Sequence, residues 1–111
     1  MAYLGDAVYE LYIRLHYLTP AKRPQLYHRV VVSQVRAERQ AAHLQALLPH
    51  LIPEELDWIK RGRNAAKLRS RRTDLTTYQQ ATGLETLIGY LYLTDPQRLI
   101  QLLAFLNLDT C

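Results

Sequence analysis

Apolar residues recur at the three- and four-residue spacing of an amphipathic helix along most of this 111-residue chain. No two alternating runs are joined by turn residues, the pattern that would indicate a β-hairpin. The length fits one domain, and a content of 49% hydrophobic and 22% charged residues is ordinary for a globular protein. The pattern therefore predicts a single all-α domain over residues 1–111.

Proline, glycine and capping residues divide this pattern into five helical regions. Ser33 is a candidate N-cap that would split the second region, Gly62 is expected to end the third, and Thr73 is expected to cap the fourth. The stretch from Arg63 to Arg72 is compatible with either a short helix or a loop. The predicted regions run from about Ala2 to His16, from Pro24 to about Leu48, from Pro53 to Gly62, from about Asp74 to Leu93, and from Asp95-Pro96 through Leu99, Leu102, Leu103 and Leu106.

The first predicted helix carries a glycine and an aspartate inside an otherwise apolar run. Gly5 costs about 1 kcal/mol relative to alanine, and Asp6 competes for backbone hydrogen bonds, so neither favours a helix interior. We expect Asp6 to lie at the edge of the stripe that this helix buries; a solvated aspartate beside a packing glycine is the alternative. The stripe expected to be buried consists of Tyr3, Leu4, Ala7, Val8, Leu11, Tyr12 and Leu15.

A second carboxylate, Glu85, interrupts the apolar face of the long fourth region. Gly89 lies one turn further and would let another helix approach closely. If the helix that carries Asp6 packs here, two carboxylates converge, and such a pair repels unless a proton or a cation separates it. A shared Mg²⁺ is one resolution, since this ion takes carboxylate, water and phosphate oxygens; a separate arginine partner for each carboxylate is the other. The apolar face around Glu85 consists of Leu84, Leu87, Ile88 and Leu91.

Positive charge is concentrated in one segment. Seven of the fourteen Lys and Arg residues lie in a thirteen-residue window that holds no acidic residue. Such clustering indicates a polyanionic partner, bound through phosphate contacts and counterion release; a solvated basic loop is the alternative. The candidate nucleic-acid-binding residues are Lys60, Arg61, Arg63, Lys67, Arg69, Arg71 and Arg72.

The remaining composition argues against a zinc protein, a disulfide-bonded secreted protein and a membrane protein. The histidines have no paired ligand spacing, and the single cysteine, Cys111, cannot form an internal disulfide. No apolar stretch is long enough for a membrane helix, and no secretory signal opens the chain, so we expect a cytoplasmic protein. Surface or structural roles are expected for His16, His28, His43 and His50.

Two separated motifs resemble the ribonuclease III catalytic domain. Residues 2–8, Ala-Tyr-Leu-Gly-Asp-Ala-Val, are similar to its signature helix, and residues 84–89, Leu-Glu-Thr-Leu-Ile-Gly, are similar to its second catalytic helix. Residues 26–29, 60–65 and 73–74 follow in the order and spacing of the short bacterial branch of that family, Mini-ribonuclease III. The resemblance covers nearly the whole chain.

This resemblance implies a helical-bundle endonuclease domain that forms a homodimer and depends on Mg²⁺. It implies cleavage of double-stranded RNA in the maturation of large-subunit (23S) ribosomal RNA precursors, with Asp6 and Glu85 as catalytic residues and metal ligands. Longer family members have further carboxylates where this chain has Ala2 and Thr82, a loss that the short branch shares. Family members also carry a segment before the signature helix, so we expect this N-terminal lead-in to be missing here, because Met1 falls within that helix.

The sequence contains two further candidate carboxylates and is compatible with two other functions. We expect Glu10 to form a salt bridge or an interface contact and Asp74 to stabilise a helix start, and neither is expected to be a primary metal ligand. A non-catalytic helical module that binds structured RNA would explain the basic cluster but not the acidic residues within apolar helix faces. A protein-interaction domain would explain the eight tyrosines but not the basic cluster.

Overall fold

The computed structural model describes residues 1–66, 74–106 and 108. In these ranges the chain is helical and contains no strand, which confirms the predicted all-α class. No helix in these ranges is long and apolar enough to cross a membrane. The elements are α1 (Ala2–His16), α2 (Pro24–Val35), α3 (Ala37–Leu47), a single 3₁₀ turn (Leu48–His50), α4 (Pro53–Ala65), α5 (Leu75–Thr94) and α6 (Pro96–Leu103).

The 20-residue helix α5 forms the centre of the domain, with α1, α3 and α4 packed around it. Its predicted apolar face is buried as expected, and burial of each such leucine or isoleucine contributes about 1.5–3 kcal/mol to folding. Because three helices pack on it, α5 is buried over much more than one stripe. Its buried residues are Ala81, Gly83, Leu84, Thr86, Leu87, Ile88, Gly89 and Leu91.

Helix α1 has the predicted bounds but buries a different side from the one expected. It turns Gly5, Tyr9 and Ile13 towards the core, and at 100° per residue these lie opposite the centre of the expected stripe. Of that stripe, Tyr3, Ala7, Leu11 and Leu15 are exposed, and Leu4, Val8 and Tyr12 are half-buried. The expectation failed because α1 is apolar on both sides, so periodicity alone does not reveal which side packs.

Two helix starts differ from the sequence expectation. The break between α2 and α3 falls at Arg36, whose backbone is extended, whereas Ser33 lies inside α2 and its Oγ donates to the Val30 carbonyl at 2.7 Å. The N-cap of α5 is Asp74, whose carboxylate accepts from the Thr77 amide at 2.8 Å. Thr73, the expected cap, lies outside the described residues.

Gly62 does not end α4, which continues to Ala65. It is buried instead, because α5 passes so close that a Cβ at this position would overlap the Thr86 side chain and lie 3.0 Å from the Thr82 carbonyl oxygen. Gly83 on α5 meets Ile59 of α4 in the same way, at 3.0 Å. These glycines allow the backbones of α4 and α5 to approach, which places α4 beside the carboxylate-bearing part of α5.

An ion pair between Arg98 and the buried Glu55 joins α6 to the start of α4. The guanidinium of Arg98 donates to both carboxylate oxygens of Glu55, at 2.8 and 2.9 Å, and to the His50 carbonyl at 2.7 Å. Glu55 is only 2% exposed and also accepts from the Ile52 amide, closing the first turn of α4. Hydrogen bonding from Arg98 lowers the pKa of Glu55, so this carboxylate is held ionised.

Candidate active site

The two carboxylates singled out in the sequence meet where α1 crosses α5. A Cβ on Gly5 would overlap the backbone carbonyl of Glu85, and one on Gly89 would overlap the carbonyl of Met1 and lie 3.1 Å from the amide nitrogen of Gly5. Because the helices touch at these glycines, the side chains of Asp6 and Glu85 come within hydrogen-bonding contact. Gly5, which is unfavourable in a helix interior, and Gly89, which was expected to allow a close approach, are therefore what brings the acids together.

Glu85 is half-buried at this crossing, and its acidity is strongly altered. Burial, together with the hydrogen bond and the negative charge of Asp6, raises the pKa of Glu85 to about 8. A hydrogen bond from Gln40 acts in the opposite direction. Near neutral pH the pair therefore holds a proton whenever no cation lies between the carboxylates.

Gln40 of α3 is a member of the site that the sequence interpretation missed. It is 4% exposed, its Nε2 donates to the Val35 carbonyl at 2.9 Å, and its side chain also contacts Glu85. Its Oε1 is buried and has no hydrogen-bond partner among the described residues. A polar residue on the apolar face of α3 was the available signal, since the same signal had drawn attention to Asp6 and Glu85.

A buried polar contact one turn beyond Asp6 joins α1 to α2 and α3. The Tyr9 hydroxyl donates to the Gln34 carbonyl at 3.1 Å and is hydrogen-bonded to Nδ1 of His43. Burial raises the pKa of Tyr9, so its hydroxyl stays protonated. His43 is thus a structural residue, as expected, and the contact fixes the helix that carries Asp6 against the helix that carries Gln40.

The acid pair opens into a cleft of about 460 Å³ between α1, α4 and α5. Ala2 and Thr82, the two positions where the resemblance implies that carboxylates have been lost, both line it. Trp58, Tyr78 and Thr86 also line it and had not been singled out in the sequence. The full lining is Met1, Ala2, Tyr3, Asp6, Trp58, Arg61, Gly62, Ala65, Ala66, Tyr78, Thr82, Glu85 and Thr86.

The predicted basic cluster is divided by α4. Arg61 lines the cleft together with Asp6 and Glu85, whereas Lys60 and Arg63 line a separate groove of about 420 Å³ beside α3. The structure therefore brings one of these three cations to the acid pair and not the other two. The remaining members of the cluster, Lys67, Arg69, Arg71 and Arg72, lie outside the described residues.

The other candidate carboxylates have structural roles. Glu10 forms an exposed ion pair with Arg14 at 3.0 Å, one turn along α1. Asp74 caps α5, and its hydrogen bonds with Thr77 lower its pKa. Both agree with the sequence expectation.

The donor set at the crossing fits a hard divalent cation. It consists of the carboxylate oxygens of Asp6 and Glu85, which are in contact. Over residues 1–66, 74–106 and 108, no group of three or more His, Cys, Asp and Glu side chains is arranged to hold a metal. A cation bound here would thus have two carboxylate residues and open coordination positions, which is how Mg²⁺ is usually held.

Comparison with known proteins identifies the family of the chain. Residues 1–96 match the Ribonuclease III domain family. The chain is 57% identical to Mini-ribonuclease 3 of Synechocystis over 97% of its length and 76% of that protein, and 60% identical to the Synechococcus Mini-ribonuclease 3 over 93% and 75%. A crystal structure of a Fusobacterium nucleatum protein, 30% identical, superimposes with a TM-score of 0.85 over 93% of this chain and 86% of that one. The chain belongs to the ribonuclease III family, in its Mini-ribonuclease 3 branch, and is an endoribonuclease.

Proposed function

We propose that this protein is a Mg²⁺-dependent endoribonuclease that cleaves double-stranded RNA and matures the ends of large-subunit (23S) ribosomal RNA precursors in the cytoplasm. The observation that carries the proposal is the contact between Asp6 and Glu85 at the α1–α5 crossing, beside a cleft that also holds Arg61. Both carboxylates lie in the motifs that resemble the two catalytic helices of the family.

Asp6 and Glu85 would hold the cation through their carboxylate oxygens. When bound, Mg²⁺ supplies an activated water and stabilises the negative charge that develops on the phosphodiester oxygens. Glu85 must lose its proton to become a ligand, and the hydrogen bond from Gln40, which is itself fixed to the Val35 carbonyl, favours the ionised form of the Glu85 carboxylate. The chain's own contribution is therefore a pre-arranged pair of acids on two helices whose backbones meet closely at Gly5 and Gly89.

The substrate proposal depends on charge and shape. Double-stranded RNA presents phosphates and 2′-hydroxyls across a wide minor groove, and proteins recognise it mainly through these groups. Arg61 in the cleft, together with the remaining members of the predicted basic cluster, would supply phosphate contacts.

A homodimer is proposed from the exposed side of α1. Tyr3, Leu11 and Leu15 are 88%, 55% and 59% exposed and share one side of the helix with Ala7, opposite the buried side. Leu18, just beyond the helix, is 57% exposed. An apolar stripe of this length on the site-bearing helix is typical of an interface, and a second copy across a two-fold axis would place one acid pair on each strand of an RNA duplex.

Cleavage of a structured ribosomal RNA precursor in Mg²⁺ tests the proposal, with Asp6→Asn as the test variant and Asp57→Asn as the control. Asp57 is an exposed carboxylate on α4 that does not line the cleft, so its variant makes the same chemical change elsewhere. We expect Asp6→Asn to bind the RNA but cleave at least about 100-fold more slowly, since one metal ligand is lost, and Asp57→Asn to cleave normally. Wild-type protein that binds the precursor without cutting it would favour the non-catalytic RNA-binding module.

A further inference from the structure

Helix α4 carries an aromatic stack that ends in Arg61. The rings of Trp58 and Tyr90 are stacked, with centroids 4.2 Å apart and planes inclined by 22°. The Arg61 guanidinium carbon lies 4.7 Å from the Trp58 centroid. Since the tyrosine ring already covers one face of the indole, the guanidinium covers the other. Tyr90 is itself tied to α4, because its hydroxyl donates to Glu54 Oε1 at 2.7 Å.

This stack restricts Arg61 while leaving its hydrogen-bond donors available. A guanidinium held over an aromatic ring keeps its N–H groups directed outwards in its own plane, where they can pair with a phosphate. Arg61 is exposed, and no ion pair joins it to another residue in the described part of the chain. An arginine otherwise loses side-chain entropy when a ligand immobilises it, and Trp58 reduces that cost before RNA arrives.

The cleft needs a positive group at this place. Two carboxylates in contact repel an approaching phosphodiester, and among the described residues that line the cleft Arg61 carries the only cationic side chain. Lys60 and Arg63, on the same helix, line the other groove and not the cleft of the acid pair. Arg61 thus lies in the cleft that contains the acid pair, whereas its basic neighbours on α4 lie in the other groove.

We propose that Trp58 is a positioning residue that holds Arg61 as a phosphate clamp beside the acid pair, gripping the backbone of the RNA strand to be cut. This inference rests on the proposed function. It assigns Arg61 a phosphate contact within the cleft of the acid pair and assigns Trp58 a role that acts through Arg61.

The test measures binding and cleavage of a short RNA duplex by full-length variants. Binding is followed in the Asp6→Asn background, where the duplex stays intact, through the fluorescence of Trp58, the single tryptophan of the chain, and through a labelled duplex for variants that lack it. Arg61→Ala is expected to weaken binding about tenfold and to reduce the salt dependence of binding by about one phosphate contact. Arg29→Ala removes the same charge from an exposed position on α2, which does not line the cleft, and is expected to do neither.

Substitutions of Trp58 separate positioning from simple structural support. Trp58→Leu should reproduce the loss of salt dependence seen in Arg61→Ala, and Trp58→Tyr, which keeps an aromatic platform, should restore it. Adding Trp58→Leu to Arg61→Ala should cost little more, because the two residues act as one unit. Thermal unfolding of each variant identifies loss of fold; if Trp58→Leu does not fold, Trp58→Tyr and Arg61→Lys decide, the latter being expected to bind weakly because it cannot form the planar fork.

Three results would overturn the inference: binding by Arg61→Ala equal to that of Arg29→Ala, equal salt dependence in Trp58→Leu and wild type, or fully additive losses in the double variant. These outcomes are distinct from failure of the proposed function. A wild-type protein that leaves the duplex uncut would refute the nuclease proposal, whereas the binding comparison still decides the role of Arg61.

Discussion

At the scale of single residues, the molecule places a proton where its proposed chemistry needs a cation. Burial and the neighbouring Asp6 raise the pKa of the half-buried Glu85 to about 8, whereas Arg98 lowers the pKa of Glu55, which is more deeply buried. The difference lies in the partner: Glu55 faces a guanidinium and Glu85 faces another carboxylate. A buried acid that lacks a cationic partner is the stronger candidate for function.

The raised pKa of Glu85 predicts how the stability of metal-free protein depends on pH. Between the ordinary glutamate value of 4.5 and about 8, the folded state binds a proton that the unfolded state has lost, so the free energy of unfolding falls as pH rises through this window. Glu85→Gln removes this loss and should melt several degrees above wild type at pH 8.5, with the difference vanishing below about pH 5. Thermal melts in EDTA across this range measure it. A difference between the two proteins that does not change with pH would contradict the assigned cause.

At the scale of elements, prolines and aspartates made several helix bounds predictable from the sequence. Features that depend on close packing between helices could not be predicted in this way. Pro24, Pro53 and Pro96 each occupy a first helical position, where the missing N–H is harmless. Gly62 resembled a helix stop in sequence because glycine is common just past helix ends; only the passage of α5 beside it explains its place inside α4. Gln40 was missed for a related reason, since its partner Glu85 is distant in the chain and brought near by packing.

The glycine contact between α1 and α5 predicts a stability effect of unusual sign. Alanine normally stabilises a helix relative to glycine by about 0.5–1 kcal/mol. At Gly5 the added methyl group would overlap the Glu85 carbonyl, so we expect Gly5→Ala to destabilise the protein by about 1–3 kcal/mol. Urea denaturation checks this, with Thr76→Ala as the control, because it changes helix propensity at an exposed position in the first turn of α5. A Gly5→Ala protein more stable than wild type would show that the helices do not cross here.

At the scale of the whole molecule, the described chain packs one side of α1 and leaves the other apolar. The sequence predicted an apolar α1 correctly but assigned burial to the wrong side, because a helix with two apolar sides has two possible partners. Tyr9 and Ile13 are buried in the core, and the proposed second copy would bury Tyr3, Leu11 and Leu15. The apolar side of α1 that the single chain leaves exposed is therefore the side that the proposed dimer would cover.

The proposed dimer predicts that a charge in the exposed stripe disrupts association. Leu11→Asp places a carboxylate in the middle of the stripe and should convert the protein to monomers, with loss of duplex cleavage because one copy would face one strand. Ile100→Asp, on α6 at 68% exposure, makes a comparable change away from α1 and should leave association intact. Analytical ultracentrifugation of both variants decides. A Leu11→Asp protein with wild-type mass in solution would exclude this surface as the interface.

Calorimetric titration with Mg²⁺ at pH 7 tests whether Asp6 and Glu85 together form the cation site. In two buffers that differ in ionisation enthalpy, we expect wild type and the Asp57→Asn control to release about one proton per cation bound, because Glu85 must deprotonate. Glu85→Gln and Asp6→Asn should bind Mg²⁺ at least about tenfold more weakly, and Glu85→Gln should release no proton. Equal Mg²⁺ affinity in wild type, Glu85→Gln and Asp6→Asn, or binding to wild type without proton release, would contradict the account.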